Sequence, residues 1–159
     1  MLYFDYAANT PVDPAVLEYF NIESTRFIAN PNSSHFLGRE AKARMDQITE
    51  RIAQMLSVSP SEIIYTSGAS EANNLAIKGL VHANRQMGSH IISTSLEHSS
   101  VSGALTFLQS QGYEIDLLEV NSDGWIDLQH LKELLRKDTI LVSVSYVDSE
   151  LGIRQPIDE

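Results

Sequence analysis

The chain has 159 residues, 43 % hydrophobic and 20 % charged, with a formal net charge of −10. That length and apolar fraction predict one buried core, at most one domain and a small piece, and exclude a disordered type. The acidic balance disfavours nucleic acid as a partner, and the absence of cysteine excludes disulfides, thiolate metal ligands and a cysteine nucleophile on this chain.

A local pocket can still hold one small anion despite the overall charge. No apolar run reaches the ~18 residues of a membrane span. The opening Met1-Leu2-Tyr3-Phe4-Asp5 lacks the basic and apolar regions of a secretory signal. The expectation is a soluble cytoplasmic chain with no membrane partner.

Residues 1–31 carry Pro11, Pro14 and Pro31 and a weak apolar pattern, and read as an irregular arm. Leu37, Ala41, Met45, Ile48, Ile52 and Leu56 then recur at helical spacing, and Ser59-Pro60-Ser61 ends that helix. Ile63-Ile64-Tyr65 predicts a short strand. Thr66 to Ser70 is a small-residue turn, and Leu75, Ala76, Leu80 and Ala83 give a second helical stripe that closes near Gly88. His90 to Thr94 predicts a strand, Val101 to Gln109 a helix closed near Gly112, and Tyr113 to Val120 a further strand. Asn121 to Gly124 is a turn signal, and Asp127 can cap a helix through Leu128, Leu131, Leu134 and Leu135. The β-branched run Ile140 to Val147 predicts a strand buried on both faces. Strands and helices alternate, so the fold class is α/β with a mostly parallel sheet.

Three loops follow predicted strands, where open α/β sheets bind ligands. In Thr66-Ser67-Gly68-Ala69-Ser70-Glu71, free N–H groups of the next helix and the Thr66 and Ser70 hydroxyls can hold a phosphate. Its ordinary reading is a turn with Ser70 as the helix cap. The loop fits neither a dinucleotide fingerprint nor a P-loop. In Ser95 to Ser100, His98 can stack on a flat ring or move a proton; its ordinary reading is a cap of the next helix. His35 has the same choice between a plain loop residue and a site wall. Val147 to Gly152 is the third loop, with a solvated turn as its ordinary reading. The five histidines show no metal-ligand spacing, so no metal is expected. Asn32-Ser33-Ser34 fits a glycosylation sequon, which means little without a secretion signal.

Several stretches together resemble the cysteine desulfurases, within the class V group of fold-type I pyridoxal-phosphate enzymes. They are Tyr3 to Pro14, Asn30 to Gly38, Ile63 to Gly79, the pair Glu97-His98, and Glu150 to Ile157. They run in order from end to end. The resemblance implies part of a pyridoxal-phosphate transferase large domain, with its sheet incomplete here. It divides the chain into an N-terminal arm or small-domain segment, 1–31, and the N-terminal portion of the cofactor-binding domain, 32–159. It implies pyridoxal 5′-phosphate as cofactor and sulfur removal from L-cysteine, for iron–sulfur cluster assembly or tRNA thiolation. Ala69 and Ser70 are then expected to hold the cofactor phosphate, and His98 to stack on the ring and serve in acid–base steps. Ala8, Asn9, Asn32, Ser33 and His35 are expected on the substrate side or at a dimer interface. A selenocysteine lyase or another class V enzyme shares these motifs.

Two departures matter. The family has a pair of asparagines where this chain has Asp148 and Ser149, so Ser149 replaces the amide expected at the cofactor's phenolic oxygen, and Asp148 adds a negative charge. Family members are also more than twice as long. The cofactor-binding lysine, the aspartate at the pyridine nitrogen and the sulfur-accepting cysteine are expected outside these residues. Lys42, Lys78, Lys132 and Lys137 all fall on predicted helices and offer no substitute. The chain alone is therefore expected to be inactive. The strand at Ile63–Tyr65 is expected to lack its neighbours, with self-association, a swapped strand or a changed position as the consequence. A homodimer or self-associating chain is the expected state. The competing reading is a non-catalytic remnant that serves as an interaction module.

Overall fold

The computed structural model describes residues 2–159. By its internal contacts the chain divides into two compact units, one ending at Tyr65 and one beginning at Thr66.

The first unit begins with a helix where an irregular arm was expected. Helix α1 spans Pro14–Arg26. The Asp13 carboxylate accepts from the N–H groups of Ala15 at 2.8 Å and Val16 at 3.3 Å. Pro14 occupies the first turn, where its missing N–H costs nothing. None of its residues is buried, in keeping with its weak apolar pattern. Helix α2, Phe36–Leu56, has the predicted extent, but it buries Gly38, Ala41 and Ala53; of the predicted stripe only Ala41 is buried, Ile48 and Ile52 are half-buried, and Leu37, Met45 and Leu56 are exposed. It stops at Ser57, whose φ of 57° is left-handed, before the proline signal is reached. Arg44 of α2 donates to the Glu23 carboxylate of α1 at 2.8 Å and also reaches the Tyr19 hydroxyl. The Arg44 hydrogen bond holds the Glu23 carboxyl below its ordinary range.

A short 3-10 turn, Pro60–Glu62, follows. The predicted strand at Ile63–Tyr65 does not form: these residues join no sheet among the described residues. The Tyr65 hydroxyl instead shares a hydrogen bond of 2.8 Å with the Thr49 hydroxyl.

The second unit is a three-layer α/β arrangement. Its elements are α3 (Ala69–Ala83), β1 (His90–Thr94), α4 (Ser99–Ser110), β2 (Glu114–Leu118), α5 (Leu128–Leu134) and β3 (Thr139–Val142). All strands are parallel, in the order β2-β1-β3. The central strand β1 is buried at all five positions. Successive side chains on a strand point to opposite faces. Ile91 accordingly packs with Ile77 and Val81 of α3 and Val101, Ala104, Leu105 and Leu108 of α4. Ile92 faces the other way, toward Leu118, Ile126 and the leucines of α5.

The strand predicted over Ile140–Val147 is shorter and lies at the sheet edge. Its residues are half-buried or exposed rather than buried on both faces. The strand is cut short because its later donors go elsewhere: Ser143 N–H still bonds Ile92 O at 2.9 Å, but Ser145 N–H is taken by a carboxylate of another loop. Gly112, with φ of 94°, ends the α4 turn as predicted. Asp127 caps α5, accepting from Gln129 N–H at 2.7 Å and His130 N–H at 3.1 Å. Lys137, expected on a helix, lies in the turn before β3. Among the described residues no helix is long and apolar enough to cross a membrane.

Candidate functional site

Three loops meet at the carboxyl ends of β1 and β3 and at the start of α3. They enclose a cavity of about 560 Å³. Its wall includes Ala69 and Asn73 from α3, Glu97 and His98 from the loop after β1, Ser100 from the first turn of α4, and Ser145, Asp148 and Ser149 from the chain after β3. The second unit supplies all of it.

The α3 end begins with Gly68 as N-cap, not Ser70. Gly68 has no side chain to accept from the first turn, so α3 begins without a side-chain cap among the described residues. Its leading N–H groups carry the positive end of the helix dipole. Glu71 accepts from both the N–H and the hydroxyl of Ser67 at 2.7 Å. The Ser67 side chain first, then its backbone, holds the Glu71 carboxyl below its ordinary range. The preceding loop is thereby pinned to the helix. Ser70 sits on the first turn but outside the cavity wall, and its carbonyl accepts from the Asn74 amide at 2.9 Å.

His98 caps α4, as its ordinary reading held, and also lines the cavity. Its Nδ1 accepts from Ser100 N–H at 3.2 Å. Beside it, Glu97 ties two loops together. One carboxylate oxygen accepts from the Thr94 hydroxyl at 3.1 Å and Ser145 N–H at 2.7 Å; the other accepts from the Ser145 hydroxyl at 2.9 Å.

Asp148 is buried. Its carboxylate accepts from Glu150 N–H at 3.2 Å and Leu151 N–H at 2.5 Å, and Gly152, at φ of 70°, completes the turn by donating to Asp148 O. The carboxylate is thus hydrogen-bonded within its own loop, while Asp148 remains part of the cavity wall. Ser149 is exposed on the wall.

The remaining predicted residues belong to the first unit. Ala8 and Asn9 N–H groups donate to Asp5 O at 3.2 and 3.3 Å. Asn32 N–H donates to the Asn30 side chain at 2.8 Å, and Ser33 N–H to Asn30 O at 3.0 Å. His35 caps α2, accepting from Gly38 N–H at 3.2 Å. Of the predicted site residues, the cavity wall brings together Ala69, His98 and Ser149. Sequence reasoning placed Glu97 and Ser100 in a candidate loop but gave them no role, and it assigned none to Asn73 or Ser145. Glu97 adjoins His98, and Asn73 falls one turn after Ala69, so helical spacing alone puts it on the same face. No group of histidine, aspartate and glutamate among the described residues can hold a metal ion.

Comparison with known proteins settles the ancestry of this arrangement. The aminotransferase class-V family pattern matches residues 2–159. The chain belongs to that family. It is 40 % identical over 159 residues to the mitochondrial cysteine desulfurase of Arabidopsis thaliana, covering 99 % of this chain and 35 % of the relative. It is 42 % identical over 161 residues to the cysteine desulfurase IscS of Vibrio cholerae, covering 98 % and 39 %. Among solved structures, a NifS-like protein superposes with a TM-score of 0.93 at 36 % identity, covering 99 % of this chain and 43 % of that one. A structure of SspA in complex with cysteine superposes with a TM-score of 0.87 at 41 % identity, covering 98 % and 45 %. This class-V chain thus spans about two fifths of the curated relatives it matches, and its parallel sheet is part of their fold.

Proposed function

We propose that this chain carries the phosphate and ring-face portion of a pyridoxal-phosphate site in a cysteine desulfurase acting on L-cysteine. The observation that carries the reading is the junction of three unlike walls in one cavity: the uncapped start of α3, the imidazole of His98 and the hydroxyl of Ser149.

These residues fit the cofactor. A phosphate dianion suits N–H groups at a helix start, where donors and dipole act together. Ala69 supplies such an N–H, and the exposed Ser70 hydroxyl adds a donor on the same turn. An imidazole can lie against a cationic aromatic ring or hold a proton, which are the roles assigned to His98. Ser149 offers one hydroxyl where the family places an amide. When bound, the cofactor supplies an electron sink for bonds at the α-carbon of the amino acid.

The same wall contains none of the four lysines. Lys78 instead sits 4.4 Å from the centre of the Phe107 ring, and Lys42 pairs with Asp46 at 3.1 Å. With no lysine at the cavity and no cysteine in the sequence, these 159 residues by themselves are assigned binding but no sulfur transfer. Under this reading, residues 32–159 belong to the cofactor-binding domain, residues 1–31 form the arm or small-domain segment, and Ala8, Asn9, Asn32, Ser33 and His35 serve the substrate side or an interface.

Titrating the chain with pyridoxal phosphate, followed by backbone and imidazole NMR, tests this. The expected result is that the Ala69 and Ser70 amides and the His98 ring respond, with no sulfide from L-cysteine above a blank. Silence at those three residues overturns the binding reading. Sulfide well above the blank overturns the assignment of no sulfur transfer.

A further inference from the structure

The His98 ring is held by more than its helix cap. The amide of Asn73, on α3, donates to the Ser100 hydroxyl oxygen at 2.9 Å. That hydroxyl oxygen lies 2.9 Å from His98 Nδ1, which also accepts from Ser100 N–H. All three residues line the cavity.

The proton directions follow from counting donors. A neutral imidazole has one donor nitrogen and one acceptor nitrogen. Nδ1 accepts from a backbone N–H, so it is the acceptor and the proton sits on Nε2. A serine hydroxyl has one proton. Because its oxygen already accepts from the Asn73 amide, its proton is free to point at Nδ1. Two donors therefore converge on Nδ1, and the chain Asn73–Ser100–His98 runs in one direction.

We infer that Asn73 and Ser100 are positioning residues for His98, fixing its imidazole with the proton on Nε2 and leaving Nε2 as the ring nitrogen offered to the cavity. Orienters of this kind hold a histidine in one tautomer by bonding its other nitrogen. That Nε2 meets a bound cofactor or substrate rests on the function proposed above; the placement of the proton does not.

The test reads the ring nitrogens of the full chain, labelled at histidine, by long-range proton–nitrogen NMR at about pH 8, above the ordinary imidazole range. His98 is assigned by the signals lost in His98→Gln. The native ring should show an acceptor-type Nδ1 and a protonated Nε2. Ser100→Ala should move Nδ1 to higher frequency, toward an unbonded nitrogen. Asn73→Asp should do the same, because a carboxylate at that place claims the Ser100 hydroxyl proton for itself. Ser100→Thr keeps the hydroxyl and should restore the native value. Simple packing between α3 and α4 predicts none of this pattern.

A native ring protonated at Nδ1 overturns the inference. So does an unmoved Nδ1 in Ser100→Ala or Asn73→Asp, or a Ser100→Thr shift as large as that of Ser100→Ala. If Ser100→Ala fails to fold, Asn73→Asp and Ser100→Thr carry the test. Adding pyridoxal phosphate then separates the two claims. Ring nitrogens that behave as stated, with no response to the cofactor, support the positioning role and overturn the cofactor reading.

Discussion

Glu97→Ala should loosen the joint between β1 and β3. The Glu97 carboxylate accepts three hydrogen bonds, from the Thr94 hydroxyl and from the N–H and hydroxyl of Ser145. A hydrogen bond to a charged group contributes about 1.5–3 kcal/mol net. The residue is only half-buried, as is Ser145, so water reaches the Ser145 hydroxyl once the carboxylate is gone, whereas Thr94 is buried. The backbone N–H of Ser145 has less freedom to turn. The expected loss is therefore about 2–3 kcal/mol, roughly one charged bond with part of a second. Glu97→Gln keeps one acceptor oxygen and should lose only about 1 kcal/mol. Urea unfolding followed by circular dichroism measures both, and amide exchange at Ser145 should speed up in Glu97→Ala alone. The matching fall in melting temperature is roughly 4–12 °C. A Glu97→Ala loss within about 0.5 kcal/mol, the range of an ordinary surface change, refutes the reasoning.

Ile91 is fully buried between α3 and α4, and Ile91→Ala should cost about 2–5 kcal/mol, whereas Leu117→Ala, at a side chain 53 % exposed, should stay within about 0.5 kcal/mol; urea midpoints compare them directly. Acid should weaken the α5 cap: the N–H of His130 first, then that of Gln129, holds the Asp127 carboxyl below its ordinary range. A lowered folded value means the stabilisation is present above the unfolded carboxylate value and is lost as pH falls through the lower one. Asp127→Asn should thus show a flatter decline in stability between about pH 5 and pH 2, read from denaturation midpoints across that range.

The extent of α2 was legible because Leu37, Ala41, Met45, Ile48, Ile52 and Leu56 keep one period, though of these only Ala41 is buried. The cap at Asp127 and the turn glycine Gly112 were legible because a short carboxylate and a residue free to take positive φ each have one local use. α1 escaped notice because its apolar residues, Val16, Leu17, Tyr19, Phe20 and Ile22, are spread around the helix and form no single stripe. Its true signal was local, Asp13 followed by Pro14. The strand after residue 139 was overextended because β-branched composition says nothing of where a donor ends up, and Ser145 gives its N–H to Glu97. Its expected burial failed for a topological reason: the run sits at an edge, and β1 takes the centre. In the cavity, single-loop chemistry pointed to Ala69, His98 and Ser149. The links among Asn73, Ser100, Glu97 and Ser145 cross between elements, so only the fold reveals them.

The strand order β2-β1-β3 also sets a sequence of assembly. His90 reaches Asp116 of β2 across 26 residues and Thr139 of β3 across 49. Each doubling of loop length adds about 0.6 kcal/mol of closure entropy, and contacts of greater separation are slower to form. The pairing of β1 with β2 thus has the shorter closure, by less than about 0.6 kcal/mol, and is expected to form before β3 docks. His98 arrives with that first pairing, at the head of α4. Ser145, Asp148 and Ser149 arrive only behind β3. On that expectation His98 is in place before the wall that Ser145, Asp148 and Ser149 supply, and that side of the cavity forms as β3 docks.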